Sequence, residues 1–431
     1  MLAVLSSSDT KMSTDSTVHG SGAKINDYDT SANNVNPEVV ANENSNNDDN
    51  DTTRNIDTYE GFFRTAFVKD FHPVWTAAYM STGIAACVLF GFPYEATWLR
   101  ICGLIMWGIS LILFLAVNWL FIHKALVYKT WLKTVLTEPS LNVFLAPYSM
   151  GFSTTVNMIH LVTVHYKHDF AIGTMVFWWI NALLAVLISW TVIFILFSYK
   201  DIEYKGLNPT IVLSCLPLTV CSSSGALITS TLPNKNLQLT TMVISFLLWS
   251  NSVWIGSLFT GIVFWKLLTS GLPPKMLTLT SFIPIGLLCH GAWSILLNGS
   301  NIENYLISYT DIPDKEVVGK TLQLITLAIA LFFIAFGFFF TFFAFASWIK
   351  VGHITLNKSY WAAPFPLGAL TLALNEFFKS SGITVFRDIA SIYGALAVVL
   401  TILCIFITLF FEFPHDQIRS RYSRKKQSDI V

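Results

Sequence analysis

Charge is scarce in this chain. Asp, Glu, Lys and Arg make up 12% of its 431 residues and cancel to a formal net charge of zero, where a soluble domain carries about 25%. A neutral balance argues against a nucleic-acid partner. Cysteine is sparse as well. Cys87, Cys102, Cys215, Cys221, Cys289 and Cys404 all fall inside apolar stretches, so no extracellular disulfide framework is implied. No Walker motif occurs, which argues against ATP-driven pumping. Cys289-His290 has no further ligands at metal-site spacing, so neither a metal nor a cofactor is expected. What remains is 53% hydrophobic residues and a mean hydropathy of +0.57, the composition of a polytopic membrane protein.

Proline is missing from every second apolar stretch. The spans run at about 72–91, 98–123, 143–165, 171–198, 206–229, 237–268, 274–297, 319–349, 359–380 and 386–412, each near or above the ~20 residues that cross a bilayer. The odd ones carry Pro73, Pro147, Pro217, Pro284, and Pro364 with Pro366; the even ones carry none. In the extreme even span, nine phenylalanines lie between Phe332 and Phe345. Broken helices survive in hydrocarbon only where protein or a water-filled cavity covers the freed backbone groups. The expected fold is therefore all-α and integral to the membrane. Ten transmembrane helices form five hairpins, with five kinked inner helices lining a pore and five straight helices facing lipid.

The Lys/Arg bias sets the orientation. With both termini cytoplasmic, 16 basic residues fall on the inner side and 7 on the outer. Asn298-Gly299-Ser300 then reads as a glycosylation sequon in an outer loop. Residues 1–60, with eleven acidic and three basic residues and no apolar periodicity, read as a disordered cytoplasmic tail. Residues 61–414 form the transporter domain and 415–431 a basic cytoplasmic tail.

The odd spans also share a repeated pattern. Ala146-Pro147-Tyr148-Ser149-Met150-Gly151 recurs as Ala363-Pro364-Phe365-Pro366-Leu367-Gly368, more loosely as Phe282-Ile283-Pro284-Ile285-Gly286. Such units place a binding path where broken helices meet near mid-membrane. These spans carry no Lys or Arg at that depth. The candidate path is instead built from Ser81, Thr82, Gly83, Gly151, Thr154, Asn157, Ser222, Ser223, Ser224, Gly286, His290, Gly368 and Asn375. Hydroxyls, amides and helix-end dipoles attract a small anion yet release it, as conduction requires. A single Ser or Thr more often bonds its own i−4 carbonyl; the run Ser222–Ser224 favours the path. His160 and His290, ionisable at membrane depth, are candidates for a proton-linked step, although core packing is the commoner role. Glu376 is placed to pair with Arg387 or Lys379.

Three motifs carry a family resemblance: Phe92-Pro93-Tyr94-x-Ala96-x-Trp98-Leu99-Arg100-Ile101-Cys102; Asn142-x-Phe144 with Tyr148-x-Met150-Gly151, Thr154 and Asn157; and Asn375-Glu376 with Phe386-Arg387 and Ile392-Tyr393-Gly394. The chain resembles the tellurite-resistance/dicarboxylate transporter superfamily, which includes plant slow anion channels, and within it the fungal sulfite-efflux pumps. The resemblance implies a homotrimer in which Phe365, just before Pro366, plugs the pore. It also implies plasma-membrane export of sulfite or hydrogen sulfite, a small inorganic anion, giving sulfite resistance. A membrane potential of 100 mV, negative inside, is worth about 2.3 kcal/mol per charge and would expel a monovalent anion; a proton gradient is the other candidate drive. The alternative in the same class is a C4-dicarboxylate carrier such as one for malate, whose dianion favours a cationic residue in the path. A membrane receptor or enzyme is the third reading, opposed by the lack of a converging catalytic set.

Removing residues 1–58 is expected to leave a monodisperse, transport-competent protein, because that segment has no apolar surface to dock. Size-exclusion chromatography and flux on the truncated chain test this. Loss of the oligomer would show the segment to be structural.

Overall fold

The computed structural model describes residues 68, 71–198, 208–352 and 358–412. Both expected tails, and the cytoplasmic termini with them, lie outside the described residues. Among these residues are ten helices of 14 to 37 residues. They are α1 (Thr76–Phe90), α2 (Thr97–Val127), α3 (Ala146–His165), α4 (Ala171–Ser198), α5 (Leu216–Thr229), α6 (Lys235–Ser270), α7 (Ile283–Tyr309), α8 (Lys315–Val351), α9 (Pro364–Ser381) and α10 (Thr384–Ile407). Two short helices, Lys129–Thr137 and Pro139–Asn142, join α2 to α3.

Each odd-numbered helix is preceded by a 3-10 segment: Pro73–Trp75, Val143–Leu145, Pro209–Ser214, Lys275–Phe282 and Lys358–Ala362. Pro147, Pro217, Pro284 and Pro364 occupy the first turn of the α-helix that follows. There the missing N–H would lack an intrahelical partner anyway and the fixed φ suits the helix. The mid-span breaks expected from the prolines are thus switches of helix type near the leading end of each span.

The inner five form a ring in which α1 packs on α3, α3 on α5, α5 on α7, α7 on α9, and α9 back on α1. The even helices lie over the seams: α2 touches α1 and α3, α4 touches α3 and α5, α6 touches α5 and α7, α8 touches α7 and α9, and α10 touches α9 and α1. Burial follows this layering. In an 18-residue stretch, 94% of residues are buried in Pro73–Phe90 and in Leu277–Tyr309, against 22% in Thr97–Val127 and in Thr384–Phe411. The exposed faces of the even helices are apolar, as at Ile105, Leu183, Phe194, Trp254, Phe342 and Phe406. So much contiguous apolar surface belongs in a membrane and not in water.

Seven segments among the described residues are long and apolar enough to cross a bilayer on length and composition. Helices α3 and α9 fall outside that set, because Ser, Thr, Asn, Gly and Pro dilute their apolarity, and α5 is apolar but only 14 residues long; surrounded by protein, they have little lipid to meet. One boundary moves furthest from expectation. Helix α7 continues through Asn298 to Tyr309, and Lys315 Nζ caps its end by donating to the Ile307 carbonyl at 2.7 Å.

Two hydrogen bonds close the ring between α1 and α9. Ser81 Oγ donates to the Trp361 carbonyl at 3.1 Å and Asn375 Nδ2 to the Gly91 carbonyl at 3.1 Å. At that end of the bundle the Tyr94 hydroxyl donates to Asp388 Oδ1 at 2.6 Å, which raises the phenol above its usual pKa, and the Arg387 guanidinium lies 4.5 Å above the Tyr94 ring. The first and third sequence motifs, at opposite ends of the chain, therefore meet at one seam. On α2, a Cβ at Gly103 would stand 2.8 Å from the Phe90 amide nitrogen and 3.1 Å from the Ala86 carbonyl, whereas one at Gly108 would meet nothing within 4 Å. Gly103→Ala is expected to destabilise by about 1–3 kcal/mol, the range for overpacking, and Gly108→Ala to have little effect. Thermal unfolding of the two purified variants compares them. Equal midpoints would mean that α2 does not rest on the α1 backbone.

Candidate functional site

Five chain segments of the same kind deliver their side chains to a single cavity of about 420 Å³. The 3-10 leads and first α-turns of all five inner helices line it: Val74, Ala77 and Met80; Phe144, Pro147 and Met150; Thr210, Leu213 and Leu216; Leu277, Thr280 and Ile283; Trp361, Ala362, Phe365 and Pro366, with His72, Lys358 and Ser359 at the leads. The five α-helix N-termini thus start around one space. Their aligned dipoles give that end a partial positive charge without an ionised side chain, although the 3-10 leads take up leading amides, as Pro73 O does for Thr76, Val143 O for Ala146 and Thr280 O for Ile283.

Phe365 stands at the start of α9 on the wall of this cavity and is 1% exposed. Its ring lies against His290, with centroids 5.0 Å apart and planes tilted by 31°, and His290 also meets the Trp293 ring edge-on at 5.7 Å. Two prolines flank Phe365, and a Cβ on Gly286 would make ordinary contact with Pro366 Cγ at 3.6 Å. His290 Nδ1 and Asn157 Oδ1 are buried without a hydrogen-bond partner.

The other expected path residues lie beyond the cavity, and most of their polar groups are engaged. Thr82 donates to Ala78 O at 3.0 Å, Thr154 to Gly151 O at 2.7 Å, and Ser223 and Ser224 to Val220 O at 2.8 and 3.1 Å. Such local back-bonding suits hydroxyls inside helices. Ser222 serves an interhelix cluster instead. It bonds Ser245 O at 2.6 Å and Ser294 Oγ at 2.6 Å, and the Ser245 hydroxyl donates back to Ser222 O at 2.7 Å. Ser81 and Asn375 make the ring-closing bonds already described. Gly83 and Gly151 receive Thr154 and the Tyr79 ring, and Gly368 receives Ile84; these glycines admit close helix contacts. Of the residues singled out from sequence, Phe365, Pro147 and Pro366 line the cavity.

Two expectations are corrected. Asn298 is not in an outer loop: it is fully buried within α7, donating to Ser294 O at 2.9 Å and Ser245 Oγ at 3.2 Å. A sequon in a buried helix cannot carry a glycan. Of its two expected partners, Glu376 takes Lys379 and not Arg387. Its carboxylate lies 3.7 Å from Lys379, one helical turn away, while Arg387 is held by Asp388 and by the Tyr94 and Phe378 rings.

Sequence reasoning missed Lys358, His72 and Thr210, because it sought the site after the prolines and the cavity lies at and before them. The signal was available: polar residues punctuate the odd spans at their leading ends. His72 Nδ1 accepts from the Val74 amide at 3.1 Å. Burial, with the Lys358 and Lys124 ammonium groups, holds its imidazole below the usual pKa. Lys124 Nζ donates to the Phe71 carbonyl at 2.7 Å. The Lys358 ammonium lies 5.4 Å from the centre of the Trp75 ring.

Residues 70–409 match the SLAC1 family, described as voltage-dependent anion channel. Curated relatives include the sulfite efflux pump SSU1 of Candida albicans, 30% identical over 370 residues and covering 80% of this chain and 75% of the relative. The protein of the same name from Saccharomyces cerevisiae is 27% identical over 402 residues, covering 80% and 88%. That from Arthroderma otae is 24% identical over 351 residues, covering 80% and 91%.

Asn298→Ala is expected to cost about 1 kcal/mol, typical of an interhelical hydrogen bond in a membrane protein, and glycosidase treatment to leave the electrophoretic mobility of the wild type unchanged. A glycan released from wild type and absent from Asn298→Ala would return this residue to an exposed loop.

Proposed function

The chain belongs to the voltage-dependent anion channel family, and we propose that it exports sulfite or hydrogen sulfite across the plasma membrane. It is a multi-pass membrane anion transporter and not an enzyme. The observation that carries the reading is the convergence of the leading ends of five inner helices on one cavity that Phe365 helps to line. Curated relatives covering four-fifths of the chain are named sulfite efflux pumps, and that name supplies the anion.

In this reading the ten helices cross the membrane as five hairpins, both termini are cytoplasmic, and the cavity is the inner vestibule. A hydrated anion is drawn to the helix N-termini and to Lys358. It is released because the deeper path offers hydroxyls, amides and dipoles and no fixed charge. Phe365 is the gate, with His290 behind it. The remaining path follows Thr82, Thr154, Asn157 and Ser222–Ser224, with the membrane potential or a proton gradient supplying the drive. The protein works as a homo-oligomer, a trimer on family resemblance. A dicarboxylate such as malate is the second reading, favoured by the Lys358 ammonium group on the cavity wall.

Sulfite efflux from loaded vesicles at fixed membrane potential, with malate, nitrate and chloride in parallel, decides between them. Phe365→Ala is expected to raise sulfite flux severalfold, since a ring leaves the narrowest point while Pro366 keeps the helix start. Phe365→Leu should fall between, and Phe339→Ala, on an exposed face of α8, should leave flux per folded molecule unchanged. A drop in flux for a correctly assembled Phe365→Ala protein would make the ring a packing or binding element.

A further inference from the structure

The vestibule is the wrong chemistry for the small anion alone. A hydrated inorganic ion gains nothing from Val74, Met80, Met150, Leu213, Leu216 or Ile283, yet apolar groups dominate this wall. The polar groups are few and come mostly from the leading segments: His72 ahead of Pro73, Thr210 in Pro209–Ser214, and Lys358 and Ser359 in Lys358–Ala362. The first α-turns supply the apolar floor, including the Phe365 ring. A cavity of about 420 Å³ falls within the ~300–1,000 Å³ typical of small-molecule sites, which pair an apolar body with a few converging polar groups.

We propose that this cavity binds an organic monoanion with a compact apolar body, its sulfonate or carboxylate head at Lys358 and Ser359 and its body on Met80, Leu216 and Phe365. The head group offers Lys358 the same charge that a sulfur oxyanion would. The body adds what the inorganic ion lacks, burial of apolar area worth about 25 cal/mol per Å². A molecule seated there rests on Phe365 and fills the approach to it, so it would act as a plug. His72, Lys124 and Lys358 are the titratable groups in mutual electrostatic reach at this mouth. A permanently charged sulfonate head keeps the ligand anionic at every pH tested.

The test is calorimetric titration of the full chain in nanodiscs with 2-naphthalenesulfonate, against methanesulfonate (head alone) and 2-naphthalenemethanol (body alone), with empty nanodiscs as blank. Saturable binding of 2-naphthalenesulfonate is expected, at least tenfold tighter than either fragment. Lys358→Gln should weaken it about tenfold while leaving 2-naphthalenemethanol unchanged, and Ala77→Phe, which fills the floor, should weaken both aromatic probes. No saturable binding to wild type, equal affinity for methanesulfonate, or an unchanged affinity in Lys358→Gln would overturn the proposal. Sulfite efflux measured at the same occupancies separates the two readings. Binding without loss of flux would leave this site standing and remove the cavity from the transport path; sulfite flux with no binding would do the reverse.

Discussion

The joint between α1 and α9 is the constraint on which the rest depends. Five helices enclose a central space only if the last meets the first, and here the partners are 280 and 284 residues apart in sequence. Packing between apolar helices gains little in lipid, where tails are as apolar as leucine; close approach and interhelical hydrogen bonds supply the adhesion. This joint has both. Ser81 and Asn375 each bond a backbone carbonyl across it, Gly368 lets Ile84 approach, and the turn at Tyr94 is tied to Asp388 and covered by Arg387. Were the seam to open, the Trp361 and Gly91 carbonyls would lose these partners, and a backbone group left unsatisfied in hydrocarbon costs several kcal/mol.

A similar economy governs the other seams. Buried hydroxyls are satisfied locally, as in Thr82 and Thr154, or across helices, as in Ser222 with Ser245 and Ser294 or Thr219 with Ser252. Trp178 and Trp249 donate to backbone carbonyls of α5 and α7, Cys221 and Gly291, at 2.9 Å each. The even helices thereby anchor the inner ring while their outer faces stay apolar. The polarity of the inner helices is therefore mostly adhesive, and the proposed pathway relies on the ends of the helices to attract the anion.

That division explains what the sequence could disclose. The alternation of proline-bearing and proline-free spans foretold which helices are inner, because the covering of a broken helix is a local requirement written into each span. The repeated pattern marked residues that also stand on the cavity wall, among them Pro147, Phe365 and Pro366. The hydroxyl list was less informative, since Ser and Thr use the same chemistry for back-bonding, interhelix adhesion and solvation, and only the tertiary neighbour decides among them. Asn298 failed for a similar reason. A sequon is a local pattern, whereas the continuation of α7 depends on contacts with α6 and α8. Lys358 is one of the 16 basic residues of the inner side, and nothing in the linear order brings it to the cavity that it lines with His72 and Thr210.

Stiffness at the cavity floor also limits how the proposed gate can work. Pro364 and Pro366 fix φ on both sides of Phe365, and α9 is held to α1 by the seam bonds. The backbone at this point is thus among the least free to shift in the ring. Ser81 holds the lead into α9 through the Trp361 carbonyl, and Asn375 holds α9 itself to Gly91. Rotation about χ1 of Phe365 breaks neither bond. The obstacle to it is the His290 ring at 5.0 Å, itself packed on Trp293. In the proposed pathway, opening is then a side-chain event in a rigid frame. Its barrier is set by the His290 contact more than by the helices, and the helix dipoles that attract the anion stay in place while the ring turns.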